Sequence, residues 1–231
     1  MIQVNKDANK IPVVYIELTK TKKVRKEDIQ LGHNRKVSGR ELFKKLKQKT
    51  EFETFKKVLI NDQFHICCYC NARVTLKGST VEHIIPIGID KSLLSEYSNL
   101  LIACDGGRAD KFNNENSQNQ YPLYCDANRN NSQLPFTPLD IVCWSAFNYS
   151  IVDGSISANN NAAQQMIKIL NLDCTVLRRN RFEALRILFD DNEVLLPYNE
   201  MEKIWDNLWG KVDEKYDPYI FAIVQNIYSL I

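Results

Sequence analysis

Apolar positions along this chain follow two different periods, and the places where each stops divide the sequence. Residues 11–18 (IPVVYIEL) are rich in β-branched side chains and read as a strand. From residue 38 the spacing becomes helical. Leu42, Phe43 and Leu46 form one apolar face, with Ser38 placed to cap it. Phe52, Phe55 and Leu59 stand at i, i+3 and i+7 of a second helix, so 38–63 predicts one or two helices. Between 64 and 135 helical periodicity fades and Cys, His, Asn and Gly appear. Val81–Ile87 predicts a short strand stopped by Pro86, and 105–120 predicts a polar loop.

Regular structure returns after Pro138. Phe147, Tyr149 and Ile151 alternate, and Asp153-Gly154 is a hairpin turn signal. Ala163, Met166, Ile167 and Leu170 form a helical stripe. Helices follow at 175–189 and 199–211. A last helix at 217–231 sets Ile220, Ile223, Ile227 and Leu230 on one side, with Pro218 near its first turn. The reading is an α+β protein in three regions: 1–60, 61–135 and 136–231.

With 231 residues, 44% hydrophobic and 25% charged, the chain has ordinary globular composition and length enough for a real core. No apolar run approaches the roughly 18–20 residues of a membrane span. The start, MIQVNKDANK, has no apolar signal region, which predicts a cytoplasmic protein with no membrane partner. Net charge is only +2, but it is unevenly placed. Residues 1–60 hold 16 Lys/Arg against 7 Asp/Glu, whereas 61–231 are net −7. A basic arm facing a polyanion fits this asymmetry, and a solvated Lys-rich helical surface is the plainer alternative.

Seven cysteines, an odd number without a secretory signal, argue against a disulfide framework. Cys67-x-x-Cys70 has the spacing of a zinc knuckle, in which two thiolates on a tight turn reach one ion. Cys104 and Cys125 follow at long spacing and would close a tetrahedral structural Zn²⁺ site. Buried free thiols are the alternative. Cys68, Cys143 and Cys174 are assigned to packing, and His65 is a neighbour of the knuckle that could substitute as a ligand. The segment lacks the βαβ pattern of thioredoxin-like redox proteins.

Between the cysteine pairs lie Glu82-His83 and Asn99-Leu100, and after Cys125 comes Asp126-Ala127-Asn128-Arg129. This order resembles the HNH (ββα-metal) endonuclease family: a CxxC knuckle, an acidic residue before His, a middle Asn before an apolar residue, further Cys, then a final His or Asn. LINDQFHICCYC and LNLDCTVLRRNRFEALRIL resemble one branch, the HNH subunit of Septu-type antiphage systems, also seen as a retron-associated protein. The similarity covers about residues 55–190. The sequence departs from the pattern in three ways. Glu replaces the commoner Asp. Gly107 stands where a Cys would follow Cys104. The last motif is offset, so Asn128, Asn130 and Asn131 compete for one role; Asn128 is chosen because Asp-x-Asn-Arg recurs around that position in some HNH nucleases.

The resemblance implies a zinc-stabilised ββα-metal core within 61–135, embedded in a mostly helical domain. It implies hydrolysis of phosphodiester bonds, with His83 as general base. Glu82 and Asn128 would supply oxygen ligands to a catalytic Mg²⁺ or Mn²⁺. Asn99 would hold the loop and orient His83, and Arg129 or Lys111 would contact phosphate. It further implies antiphage defence and an SMC-like ATPase partner that gates activity. DNA and structured RNA such as tRNA are both open as substrates. The alternative is a zinc-stabilised nucleic-acid-binding or adaptor module without catalysis. His33 has no supporting constellation.

Overall fold

A computed structural model describes residues 38–113, 121–209 and 215–230. The strand expected over 11–18 and His33 lie outside them. Among the described residues the protein is α+β, with eight α-helices and two small antiparallel sheets. None of these helices is long and apolar enough to cross a membrane.

The chain enters through α1 (Gly39–Lys47). Ser38 accepts from Glu41 N–H at 3.2 Å while the Glu41 carboxylate accepts from Ser38 N–H at 2.9 Å, a reciprocal cap. Leu42, Phe43 and Leu46 are buried, as their spacing predicts. Next, α2 (Glu51–Asp62) buries Phe55, Leu59 and Ile60. The buried Gln63 at its end donates to Ile102 O at 2.8 Å and accepts from Ile102 N–H at 2.7 Å. These bonds satisfy one edge of β2 (Leu100–Cys104), which pairs antiparallel with β1 (Ser79–His83) in the register Val81↔Ile102 and His83↔Leu100.

The strand expected over Val81–Ile87 is thus shifted toward its N-terminal side. Pairing stops at His83 because the partner begins only at Leu100, after a 3₁₀ turn over Tyr97–Asn99. The loop expected over 105–120 contains a helix, α3 (Arg108–Asn113). Asp105 starts it: its carboxylate accepts from Gly107 N–H at 3.3 Å and Ala109 N–H at 3.1 Å.

After Cys125 comes one turn, α4 (Asp126–Arg129), packed against α5 (Asn161–Leu170). The second sheet pairs β3 (Phe147–Tyr149) with β4 (Ile156–Ala158). Its connection runs over 150–155 and contains the expected turn residues Asp153-Gly154. The loop lies against α6 (Thr175–Leu185): Gly154 has φ +66°, and a Cβ there would stand 2.2 Å from Arg178 O. Arg181, buried on α6, donates to Gly154 O at 2.6 Å. The helix expected over 175–189 ends at Leu185 and finishes as a 3₁₀ turn, Arg186–Leu188. The last helices are α7 (Tyr198–Trp209) and α8 (Ile220–Leu230).

The main apolar cluster runs from Leu42 to Tyr219, and a smaller one joins Ile66 to α7 and α8. Buried side chains therefore cross both expected boundaries, at 60 and at 135.

One glycine closes the centre of the molecule. Gly106 has φ +67°, and a Cβ on it would lie 2.3 Å from Tyr124 O and 2.5 Å from Ala127 Cβ. Gly106 O accepts from Tyr124 N–H at 3.1 Å, which brings the chain back to Cys104 after the excursion. Gly106→Ala is expected to destabilise the protein by about 2 kcal/mol or more, from left-handed strain and this clash together. Denaturant unfolding measures it.

Candidate metal centre and adjacent pocket

The knuckle is built by backbone geometry. Ile66 bridges to Arg73, Cys67 N–H donates to Ala72 O at 2.9 Å, and Asn71 N–H donates to Cys67 O at 3.1 Å. Asn71 takes the left-handed conformation, φ +62°, that turns the chain between them. Tyr69 N–H points at Cys67 Sγ at 3.5 Å. Cys68 N–H bonds Ile102 O at 3.0 Å, fastening the knuckle to β2. Cys104 ends β2. Cys125, with φ +53°, enters the same space from the start of α4 and is held by its N–H on Leu170 O at 2.7 Å.

All four sulfurs, Cys67, Cys70, Cys104 and Cys125, are buried and lie within 4.8 Å of one another. Cys67 Sγ is 3.9 Å from Cys125 Sγ, and Cys70 Sγ is 3.8 Å from Cys104 Sγ. A tetrahedron with Zn–S bonds of about 2.3 Å has edges of about 3.8 Å. The donor set therefore fits a structural metal such as zinc. Cys67 is held well below the ordinary thiol range: burial pushes it up, but hydrogen bonds from the surrounding thiols of Cys104, Cys125, Cys68 and Cys70 outweigh that. Cys68, Cys143 and Cys174 are buried outside the set, and His65 does not join it.

Next to this centre is a polar pocket of about 220 Å³ lined by Glu82, His83, Arg108, Asp126, Arg129 and the α1 residues Arg40 and Phe43. Neighbours on a regular strand face opposite ways. Glu82 and His83 both reach the pocket because β1 ends at His83.

Glu82 is buried. Its Oε1 accepts from Tyr69 Oη–H at 2.6 Å and from Arg129. Burial, then the negative charge of Asp126, pushes the Glu82 carboxyl up to about 8, against the pull of Arg129. Asp126 moves the other way: burial raises it, but hydrogen bonds from Glu82, Arg108 and Thr80 hold it below the usual range. The charge of Asp126 thus works against ionisation of Glu82. Arg108 pairs with Asp126 at 2.8 Å.

His83 is 7% exposed, and its ring meets the Phe43 ring edge-on at 4.7 Å. Its Nε2 lies 3.1 Å from Leu94 O. A carbonyl only accepts, so Nε2 carries the hydrogen and Nδ1 is the basic nitrogen. Burial lowers this imidazole to about 4, so the ring is neutral near pH 7. Asn99 fixes the intervening loop: its Oδ1 accepts from Ile85 N–H at 2.7 Å, and its Nδ2 donates to Ile85 O and Leu93 O, both at 3.1 Å. Asn99 thereby holds the segment that offers Leu94 O to His83.

The structure does not bring Asn128 to this pocket. Its amide donates to Ile169 O on α5 at 3.0 Å, while Asn130 and Asn131 line the pocket. The acid that α4 places beside Glu82 is Asp126, which the sequence pattern does not single out. Its signal is adjacency: whatever fixes Cys125 fixes Asp126 beside it. Arg129, expected on phosphate, is 1% exposed and fully engaged. It donates to Ser132 O at 2.9 Å, Tyr69 Oη at 2.9 Å, His83 O at 3.1 Å, Ile84 O and Glu82. It is a clamp joining knuckle, β1 and α4. The accessible guanidinium groups at the pocket are those of Arg40 and Arg108, and the Lys111 side chain lies outside the described residues.

Compared with models of known families the chain matches none, and no curated protein is similar to it.

Cys104→Ser and Cys125→Ser are each expected to lose bound zinc and to lower the melting temperature by about 10 °C or more, because metal-binding free energy here is folding free energy. Zinc determination alongside thermal unfolding checks both. Normal melting with full zinc would remove that residue from the ligand set.

Proposed function

We propose that the protein is a metal-dependent endonuclease of the HNH type, stabilised by zinc at Cys67, Cys70, Cys104 and Cys125. The observation that carries this reading is the meeting of Glu82, His83 and Asp126 in one polar pocket rimmed by Arg40 and Arg108. The order of elements supports it: two antiparallel strands, β1 and β2, followed after α3 by α4, with the pocket where the strand end meets the start of α4.

The paired carboxylates of Glu82 and Asp126 are hard oxygen donors, the kind that suit Mg²⁺ or Mn²⁺. Such a cation supplies charge neutralisation at the phosphate and at the leaving oxygen. Glu82 and Asp126 would hold such a cation through their carboxylate oxygens, Glu82 in its ionised form. His83 accepts the proton of the attacking water at Nδ1 while its Nε2–H stays on Leu94 O. Asn99 keeps that carbonyl in place. Arg40 and Arg108 offset negative charge on the phosphate diester.

The substrate is nucleic acid, DNA or a structured RNA such as tRNA. Following the resemblance, the protein is the effector of an antiphage system, and an SMC-like ATPase partner gates it in the cytoplasm. One observation favours the second reading, a non-catalytic zinc-stabilised adaptor: Glu82 Oε1 is already held by Tyr69 and Arg129.

His83→Ala and Asp126→Asn should each lower cleavage by about 10²–10⁴-fold, the usual worth of a general base or a comparable catalytic group, with zinc content unchanged. The assay uses plasmid, single-stranded DNA and tRNA in Mg²⁺, Mn²⁺ or EDTA, with and without the ATPase. Equal cleavage by wild type and both variants would move the activity elsewhere. Silence from the wild type with its partner present would favour the adaptor.

A further inference from the structure

The α1 helix carries its charges asymmetrically. At about 100° per residue, Arg40, Lys44 and Lys47 fall within about 60° of one another. The helix's one acid, Glu41, is committed to the Ser38 cap. Which flank faces the pocket is settled by contacts. Phe43, next to the Arg40–Lys47 flank, packs its ring on His83. Arg40 itself lines the pocket. Lys47 Nζ sits 4.8 Å over the Phe43 ring, close enough for its charge to be felt at His83. Arg40, Lys44 and Lys47 are all exposed. Across the pocket stands Arg108, whose side chain is 45% exposed. Both α1 and α3 thus bring exposed cations to the pocket.

We infer that the Arg40–Lys44–Lys47 flank of α1 is a track for the phosphate backbone of a nucleic-acid strand that passes over the pocket. This inference rests on the endonuclease reading for its direction and extends it by assigning the surface that grips substrate away from the reacting bond. From residue 40 to residue 47 is about 10.5 Å along the helix, about three nucleotide steps at 3.4 Å per strand. A flexible row of ammonium groups on a helix surface positions a backbone without reading bases. The track therefore binds strands regardless of sequence. Lys45, on the far flank, is outside it.

The test is the binding of a fluorescein-labelled single-stranded oligonucleotide, followed by anisotropy across a salt series without divalent cations. Cleavage is not needed, so an inactive pocket leaves the result readable and the two readings fail separately. In the Lys44→Glu/Lys47→Glu variant, affinity at low salt should fall at least about tenfold. The slope of log K against log salt should flatten by about 1.4, since each phosphate that a lysine no longer neutralises takes away about 0.7. Lys45→Glu, which reverses one charge on the far flank, should change affinity less than about threefold and leave the slope alone, whereas Lys44→Glu alone should flatten it by about 0.7. Lys44→Gln/Lys47→Gln serves if the charge reversal unfolds the helix, with the same direction expected. Wild-type affinity and slope in the track variants would overturn the assignment and leave this flank to a protein partner. Equal losses from both flanks would overturn it too, by reducing the effect to net charge.

Discussion

The structure depends on the closure of four sulfurs from three distant parts of the chain. Cys67 and Cys70 are local to a turn, but Cys125 is 58 residues from Cys67 and arrives only after a polar excursion. No apolar stripe drives that return. What holds it is the sulfur cluster, the bond from Cys125 N–H to Leu170 O and the close approach allowed at Gly106. Forming a long loop carries an entropic cost that grows only slowly with its length. A metal bound by four thiolates therefore has ample free energy to fix the segment.

That closure also explains how the pocket is made. Cys125 sets the position of the next residue, Asp126, and the start of α4. Tyr69, inside the knuckle, reaches Glu82 through its hydroxyl. Arg129 then ties Tyr69, Glu82 and the end of β1 to α4 with one guanidinium. A buried arginine is tolerable only when its donors are satisfied, and here carbonyls, a hydroxyl and a carboxyl satisfy them. The clamp gives little to substrate and much to geometry, since it holds Glu82 and the end of β1 against α4.

Much of this was legible in the residues. Helices whose faces are amphipathic, such as α1, α2 and α5, announce themselves through Leu42–Phe43–Leu46, Phe55–Leu59 and Ala163–Met166–Ile167–Leu170, because burial alone decides them. The cysteine set was legible from spacing, since ligand chemistry constrains residue type so strongly. What failed was whatever depends on tertiary direction. Whether Asn128 or Asp126 faces Glu82 turns on the left-handed backbone at Cys125, which no local pattern encodes. Arg129 looks like a surface cation in sequence, and only the arrival of Tyr69 and the strand end makes it a buried clamp. The helix at Arg108 was hidden because six residues carry too little periodicity to register, and its start is set by a single cap at Asp105.

On the proposed reading, two metals would lie close together without exchanging roles, and donor chemistry keeps them apart. The sulfur set is soft, dry and tetrahedral, suited to zinc and closed to a further ligand. The carboxylate pair is hard and borders an open pocket, where a cation could keep room for water and phosphate. The separation is one residue wide at Cys125–Asp126, and one side chain wide where Tyr69 links the knuckle to Glu82. Removing zinc would therefore silence the pocket without touching a reacting atom, because the same turn that buries the fourth thiolate aims the second acid.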